Sequence, residues 1–171
     1  MQRLRASALV LLTLVVVGCG GAKNVTVTQT QTVTAPAPGL PTGVALTHSK
    51  LLAAAKSGDY ERLRPLIPAK GFAYTYGIDR QGGPIEFWKD FERNYGQSPI
   101  AILASILKLP YTLNHGLYVW PFAHDKRKSD LTAYERKLLG PLVTSYAGQD
   151  YYGWRAGFTP DGKWIFFIAG D

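Results

Sequence analysis

Three side chains in this sequence have the types that proton transfer needs: His115, Asp79 and Tyr74. An imidazole titrates near neutral pH, and a carboxylate beside it orients the ring and stabilises the imidazolium, which is the pairing that general acid–base chemistry uses. Asp79 and Arg80 open the turn Asp79-Arg80-Gln81-Gly82-Gly83, Tyr74 and Tyr76 precede it on an expected strand, and His115 falls on another expected strand. A plainer reading competes. Asp in a glycine-flanked turn is what turn chemistry calls for, and His115 then serves only as a sheet residue.

Other polar motifs do not add up to a recognisable chemistry. His48, His115 and His124 form neither an HExxH pattern nor a Cys/His cluster, so no metal site is expected. Ser145 in Thr144-Ser145-Tyr146-Ala147-Gly148 lacks the first glycine of a nucleophile elbow. Gln81-Gly82-Gly83 has no lysine of a phosphate loop, and its glycines serve the turn. No motif asks for a cofactor. His124-Asp125 and the adjoining Lys126-Arg127-Lys128 read as a solvated surface loop, and Arg155 is expected to pair with Asp150 or Asp171.

The elements that would position these groups follow from punctuation and periodicity. Residues 49–56 read as a short helix with Leu51, Leu52 and Ala55 inward, ended by Gly58; Asp59 then caps a second segment that Pro65 and Pro68 stop. Phe72, Tyr74 and Tyr76 alternate as in a half-buried strand, and Pro84 opens a helix with Ile85, Trp88, Phe91 and Tyr95 on one face. A central, largely apolar helix is expected over 98–109, then a strand over 112–122 with Leu113, Leu117 and Val119 on one side. Thr132-Ala133-Tyr134-Glu135 fits a capping box for a helix through Leu139, and Thr159-Pro160-Asp161-Gly162 fits the turn of a final hairpin, 154–158 with 163–168. Alternation within that last strand puts Trp164, Phe166 and Ile168 on one face and Ile165 and Phe167 on the other. The expected fold is α+β: one globular domain over 48–171, with a small, bent, mostly antiparallel sheet and several short helices. The aromatic clusters Tyr118 to Phe122 and Tyr151 to Trp154 admit two roles, stacking on sugar or forming the core, and the apolar area of buried rings favours the core.

Ahead of this domain the sequence changes character. Arg3 and Arg5 precede an uncharged run from Ala6 to Val17 of twelve residues, too short for the ~20 residues that span a bilayer. The run ends at Val16-Val17-Gly18-Cys19, which carries the only cysteine and resembles the lipobox of bacterial lipoproteins. The resemblance implies a signal peptide over 1–18, a diacylglycerol on Cys19, and a protein held by its acyl chains on the extracytoplasmic side of a cell membrane. Two chains make a stable anchor where one does not. Residues 19–47, rich in Thr, Pro, Val and Gln, then read as a disordered tether. With Arg3 and Arg5 removed, 17 basic residues face 12 acidic ones, a net +5, a mild bias towards anionic headgroups or wall polymers. Nucleic acid is not an expected partner in that compartment. The expected partners are the bilayer through acylated Cys19 and an envelope protein, a glycan or a small apolar ligand.

Leu51 to Tyr60, the strand Phe72 to Tyr76 and Gly83-Pro84-Ile85-Glu86-Phe87-Trp88 together resemble the opening of NTF2-like (SnoaL-type) domains. That resemblance implies a strongly bent sheet whose cone encloses a pocket, in a group holding isomerases and cyclases as well as non-catalytic binding modules. The two helical segments 98–109 and 132–139 depart from the consecutive strands usual there. Two functions are therefore carried forward: a tethered binding or accessory module of the cell envelope, and a small acid/base enzyme using His115 and Asp79.

Overall fold

Pro41, with φ −56° and ψ 145°, turns the chain into helix α1, Thr42–Lys56, so the helix begins at Thr42 and not near Ser49. Its inward stripe is Val44, Ala45, Leu51, Ala54 and Ala55, which places two residues assigned to the tether in the core. Gly43 explains how the first turn can dock: a Cβ there would sit 2.3 Å from the Asp161 carbonyl oxygen, a gap only glycine leaves. Leu40 also packs against the core, so the domain starts before the 47/48 boundary. The computed structural model describes residues 39–76 and 82–170; the lipobox, most of the tether, Asp79, Arg80 and Asp171 lie outside them. All the described residues belong to one unit, Val33–Asp171.

The Ser57 hydroxyl donates to the Ala54 carbonyl at 2.6 Å, Gly58 turns the chain at φ 72°, and the Asp59 carboxylate accepts from the Glu61 amide at 2.9 Å. The capping role of Asp59 is therefore as expected. It opens a 3-10 turn, Tyr60–Arg62, and a second follows at Arg64–Leu66 with Pro65 inside it, where its missing N–H costs nothing in a first turn. Helices α2, Gly83–Tyr95, and α3, Pro99–Ile106, come next. Ile85 and Trp88 are buried, whereas Tyr95 stands past the end of the core, exposed, with its ring 4.7 Å from Phe91. Tyr60 locks this layer: its hydroxyl donates to Glu92 of α2 at 2.6 Å and accepts from the Ile100 amide of α3 at 3.4 Å. Burial, and then the Glu92 carboxylate, push its phenol up to about 12.

The expected strand over 112–122 is a hairpin. His115 and Gly116 take φ 47° and 80°, the two left-handed positions of a tight turn, and join β1, Thr112–Asn114, to β2, Leu117–Trp120. Leu113 consequently lies opposite Tyr118 and shares its face, not that of Leu117 and Val119. Helix α4, Ala133–Leu139, has the capping box in full: the Thr132 hydroxyl accepts from the Glu135 amide at 3.2 Å and the Glu135 carboxylate accepts from the Thr132 amide at 2.9 Å. A short hairpin, β3 Tyr146–Ala147 and β4 Asp150–Tyr151, follows, then β5, Arg155–Phe158, and β6, Trp164–Ile168.

The main sheet is antiparallel in the order β1-β2-β5-β6, and its edge at β6 is covered by the segment 72–74, which makes a single parallel bridge at Ala73 and Phe166. That bridge is all that forms of the expected strand over Phe72 to Tyr76. A bulge between Gly157 and Phe158 breaks the alternation in β6. Trp164 and Phe167 therefore both enter the core, and the Phe166 ring lies over Gly157 on the other face. One sheet face, with Trp120, Ala156, Phe158, Trp164 and Phe167, packs on α1, α2 and α3 in an aromatic core that also holds Trp88 and Trp154. A satellite cluster of Phe122, Ala123, Leu131, Leu139, Tyr146 and Tyr151 sits under α4 and the β3–β4 hairpin. The fold class is α+β.

Candidate functional site

The structure separates two of the three proton-transfer candidates. His115 is exposed at the tip of the β1–β2 hairpin, because its left-handed backbone puts it in the turn and not on a strand. Tyr74 is buried at the opposite edge of the sheet beyond β6, its ring 5.6 Å from Phe87 of α2. Four strand spacings of ~4.8 Å lie between the edges, far beyond the reach of a hydrogen bond. Tyr74 lines a cleft of about 410 Å³ with Ile67, Lys70, Phe72, Gly83 and Pro84. Asp79 and Cys19 fall outside the described residues. The histidine that is well placed is His48 on α1: its Nε2 bonds the Leu107 carbonyl at 2.7 Å and its ring lies 4.9 Å from Trp120. Burial lowers its pKa, so the neutral ring with Nε2 protonated is favoured, and it clamps α1 to α3 and the sheet.

The aromatic clusters are mostly core. Trp120, Phe122, Tyr151 and Trp154 are all buried, and Tyr152 is the exposed ring of the two groups. Arg155 is 7% exposed; it donates to the Tyr76 hydroxyl and, at 2.7 Å, to the Gly170 carbonyl. Its expected partner Asp150 lines the same cleft, of about 340 Å³, with His124, Asp125, Arg127 and Tyr151. Charges of both signs line this cleft, Asp125 and Asp150 with Lys126, Arg127 and Arg155. Lys126 departs from the solvated-loop expectation: it reaches across to Glu135 of α4 at 2.5 Å. That lysine first, and the Thr132 amide second, hold the Glu135 carboxyl well below its usual range, at about 2.

One apolar concavity among the described residues was not legible from the chemistry-bearing residues. Ala101, Ile102 and Ser105 of α3 face Leu138, Leu139 and Leu142 around a cleft of about 370 Å³. The Ser105 hydroxyl is engaged with the Ala101 carbonyl at 2.9 Å, so the cleft is mainly apolar, with Gln97 and Ser98 adding polar groups ahead of α3. Leu138 also lines a second cleft of about 360 Å³, formed with Tyr111, Thr112, Phe122, Lys126, Tyr134 and Glu135. The two thus adjoin along α4. Their only carboxylate is Glu135, already matched by Lys126, and they hold no histidine. Such a groove can desolvate an apolar group and exclude water; it has no group poised to move a proton at neutral pH. The available signal was the small pair Ala101 and Ser105, spaced i,i+4 and so on one face of a helix that also carries Ile100, Ile102, Leu103 and Ile106.

Among the described residues no group of three or more His, Cys, Asp or Glu is placed to hold a metal, and no helix is long and apolar enough to cross a membrane. Comparison of the chain with protein-family models, with curated proteins and with solved structures finds no match.

Proposed function

We propose that this chain is a membrane-anchored extracytoplasmic lipoprotein whose folded part is a binding or accessory module of the cell envelope. The anchor rests on the sequence: a cationic start, a short apolar run, a small residue and a lone cysteine at one point. The module rests on the apolar double cleft joined at Leu138. The aliphatic lining of the first cleft, between Ala101 and Ile102 and Leu138, Leu139 and Leu142, suits a small apolar ligand or the apolar side chains of a protein, and of the rings considered for sugar stacking Trp120, Tyr151 and Trp154 are buried. The second reading, an NTF2-like acid/base enzyme, keeps Tyr74 on a cleft wall but leaves His115 at a distant hairpin tip. It has the weaker support.

The two halves are tested separately. Cys19→Ala should abolish incorporation of a fatty-acid analogue and leave unprocessed precursor; undiminished labelling refutes the anchor. Ala101→Trp, at an exposed position on the cleft wall, should fill the groove without entering the core and abolish the fluorescence enhancement of an added anilinonaphthalene sulfonate. Equal enhancement in parent and variant refutes the groove as the ligand surface.

A further inference from the structure

The described chain enters the fold at one wall of this groove. A Cβ on Gly39 would lie 3.8 Å from the Tyr111 hydroxyl, and Tyr111 lines the cleft that contains Tyr134 and Leu138. Two of the large apolar side chains left in solvent flank the same place. Tyr134 is 70% exposed on its rim, and Leu113, 58% exposed, follows Thr112 of the cleft and pairs across the sheet with Tyr118, whose ring is 5.4 Å from Tyr111. Lys137 follows Tyr134 at i+3 on α4 and Lys108 precedes the cleft residue Pro110; both are exposed, and among the described residues neither makes an ion pair. Glu135 is matched by Lys126 and the Asp125 carboxylate is held by the Asn114 amide at 3.1 Å, so Lys108 and Lys137 add the cationic groups beside this rim.

We infer that the surface carrying Leu113, Tyr134, Lys108 and Lys137 lies against the anionic headgroups of the bilayer that holds the anchor, so that the groove opens at the membrane surface. The inference rests on the anchor proposed above. Tyrosine with its ring in apolar surroundings and its hydroxyl in water is suited to the headgroup level, and lysine stems can lie in the interface with their ammonium groups at the phosphates. Two such lysines add only a modest attraction to an anionic surface. That would be a weak site for a protein in solution. Here the nineteen residues between Cys19 and Gly39 let the two lie at most about 70 Å apart even when extended, so the entry face is held at high local concentration beside the bilayer. The apolar groove then faces the compartment where apolar ligands are found.

Orientation in the anchored protein is the decisive measurement. The mature acylated chain is reconstituted in vesicles of phosphatidylglycerol and phosphatidylcholine, with one added cysteine bearing an environment-sensitive nitrobenzoxadiazole label: Tyr134→Cys, Leu113→Cys, or Lys56→Cys. Position 56 ends α1, ~22 Å from its start at 1.5 Å per residue. Spin-labelled lipids should quench the labels at 134 and 113 at least twofold more than the label at 56. All three substitutions are at exposed positions, and agreement between 134 and 113 guards against a local effect of either. Equal quenching at the three positions overturns the inference. A blue shift at 134 without lipid quenching assigns the surface to a second copy or another protein and equally overturns it. Reaction of the unsubstituted chain with the label at Cys19 shows instead that the anchor is absent, which separates failure of the anchor from failure of the orientation.

Discussion

Replacing Gly43 by alanine should destabilise this domain even though alanine is the better helix former by up to about 1 kcal/mol. Gly43 is the second residue of α1 and is not among the residues with positive φ, so its backbone has no conformational need for glycine. What needs glycine is proximity. A Cβ would lie 2.3 Å from the Asp161 carbonyl oxygen and 2.8 Å from its carbon, and a Cβ on Gly162 would meet the Gly43 carbonyl carbon at 2.2 Å. Both sides of the contact are backbone, so no rotamer change relieves it; α1 and the β5–β6 turn would have to part by roughly 1 Å, dragging the fully buried Val44 with them. Overpacking of this kind costs about 1–3 kcal/mol, and subtracting the full propensity gain leaves up to about 2 kcal/mol of net destabilisation. The melting temperature should fall by up to roughly 10 °C for a domain of this size. Urea titration followed by tryptophan fluorescence reads it directly, since Trp88, Trp120, Trp154 and Trp164 are all buried. A gain of ~0.5–1 kcal/mol, as at a solvent-facing helix site, would refute the docking of residues 39–47 on the sheet.

The bulge in β6 makes Phe167 and Phe166 unequal. Phe167→Ala should cost about 3–5 kcal/mol and Phe166→Ala, from a half-buried ring, about 1–2 kcal/mol, with equal costs in urea titration counting against the bulge. Glu135 should titrate at about 2 by carboxyl NMR shifts and move back towards 4.5 in Lys126→Met; a parent midpoint near 4.5 would remove the pairing. Because its folded-state pKa is depressed, the stability this pair contributes is present above about 4.5 and lost as pH falls towards 2.

Local chemistry was readable wherever a residue's own backbone preference decided the outcome. The Asp59 cap, the Thr132/Glu135 capping box and the Thr159 to Gly162 turn are each a side chain or a glycine satisfying its immediate neighbours, and each stands where the sequence puts it. Errors arose where a distant part of the chain intervened. Residues 42–47 read as tether because the composition of 19–47 runs through them, and only the approach of the Asp161-Gly162 backbone gives Gly43 its purpose. The strand over Phe72 to Tyr76 shrank to one bridge because β6 offers it pairing only around Phe166, whose neighbours Ile165 and Phe167 bond Ala73 at 2.9 and 3.0 Å. His115 misled because a non-glycine at positive φ is uncommon; the Gly116 beside it was the hairpin signal.

The same logic explains why the candidate site was the least legible part. Residues singled out for their chemistry were drawn into structural work: Tyr74 into the core, His115 into a turn, Lys126 into a pair with Glu135, Arg155 into bonds with Tyr76 and Gly170. The groove is made by residues with no chemistry of their own, Ala101 and Ile102 on one element and Leu138 and Leu142 on others more than thirty positions later. Its shape depends on α4 being held away from α3, and that spacing is set by the satellite cluster, where Leu139 anchors α4 on Phe122, Tyr146 and Tyr151. Of α4 only Leu139 is buried, in that small cluster, whereas α3 buries Ile100, Leu103, Ala104 and Ile106 in the main core, so α4 is the groove wall less constrained by packing. A rigid acid–base site needs the opposite arrangement, with its groups on elements locked by packing. That contrast supports the proposed binding module over the proposed acid–base enzyme.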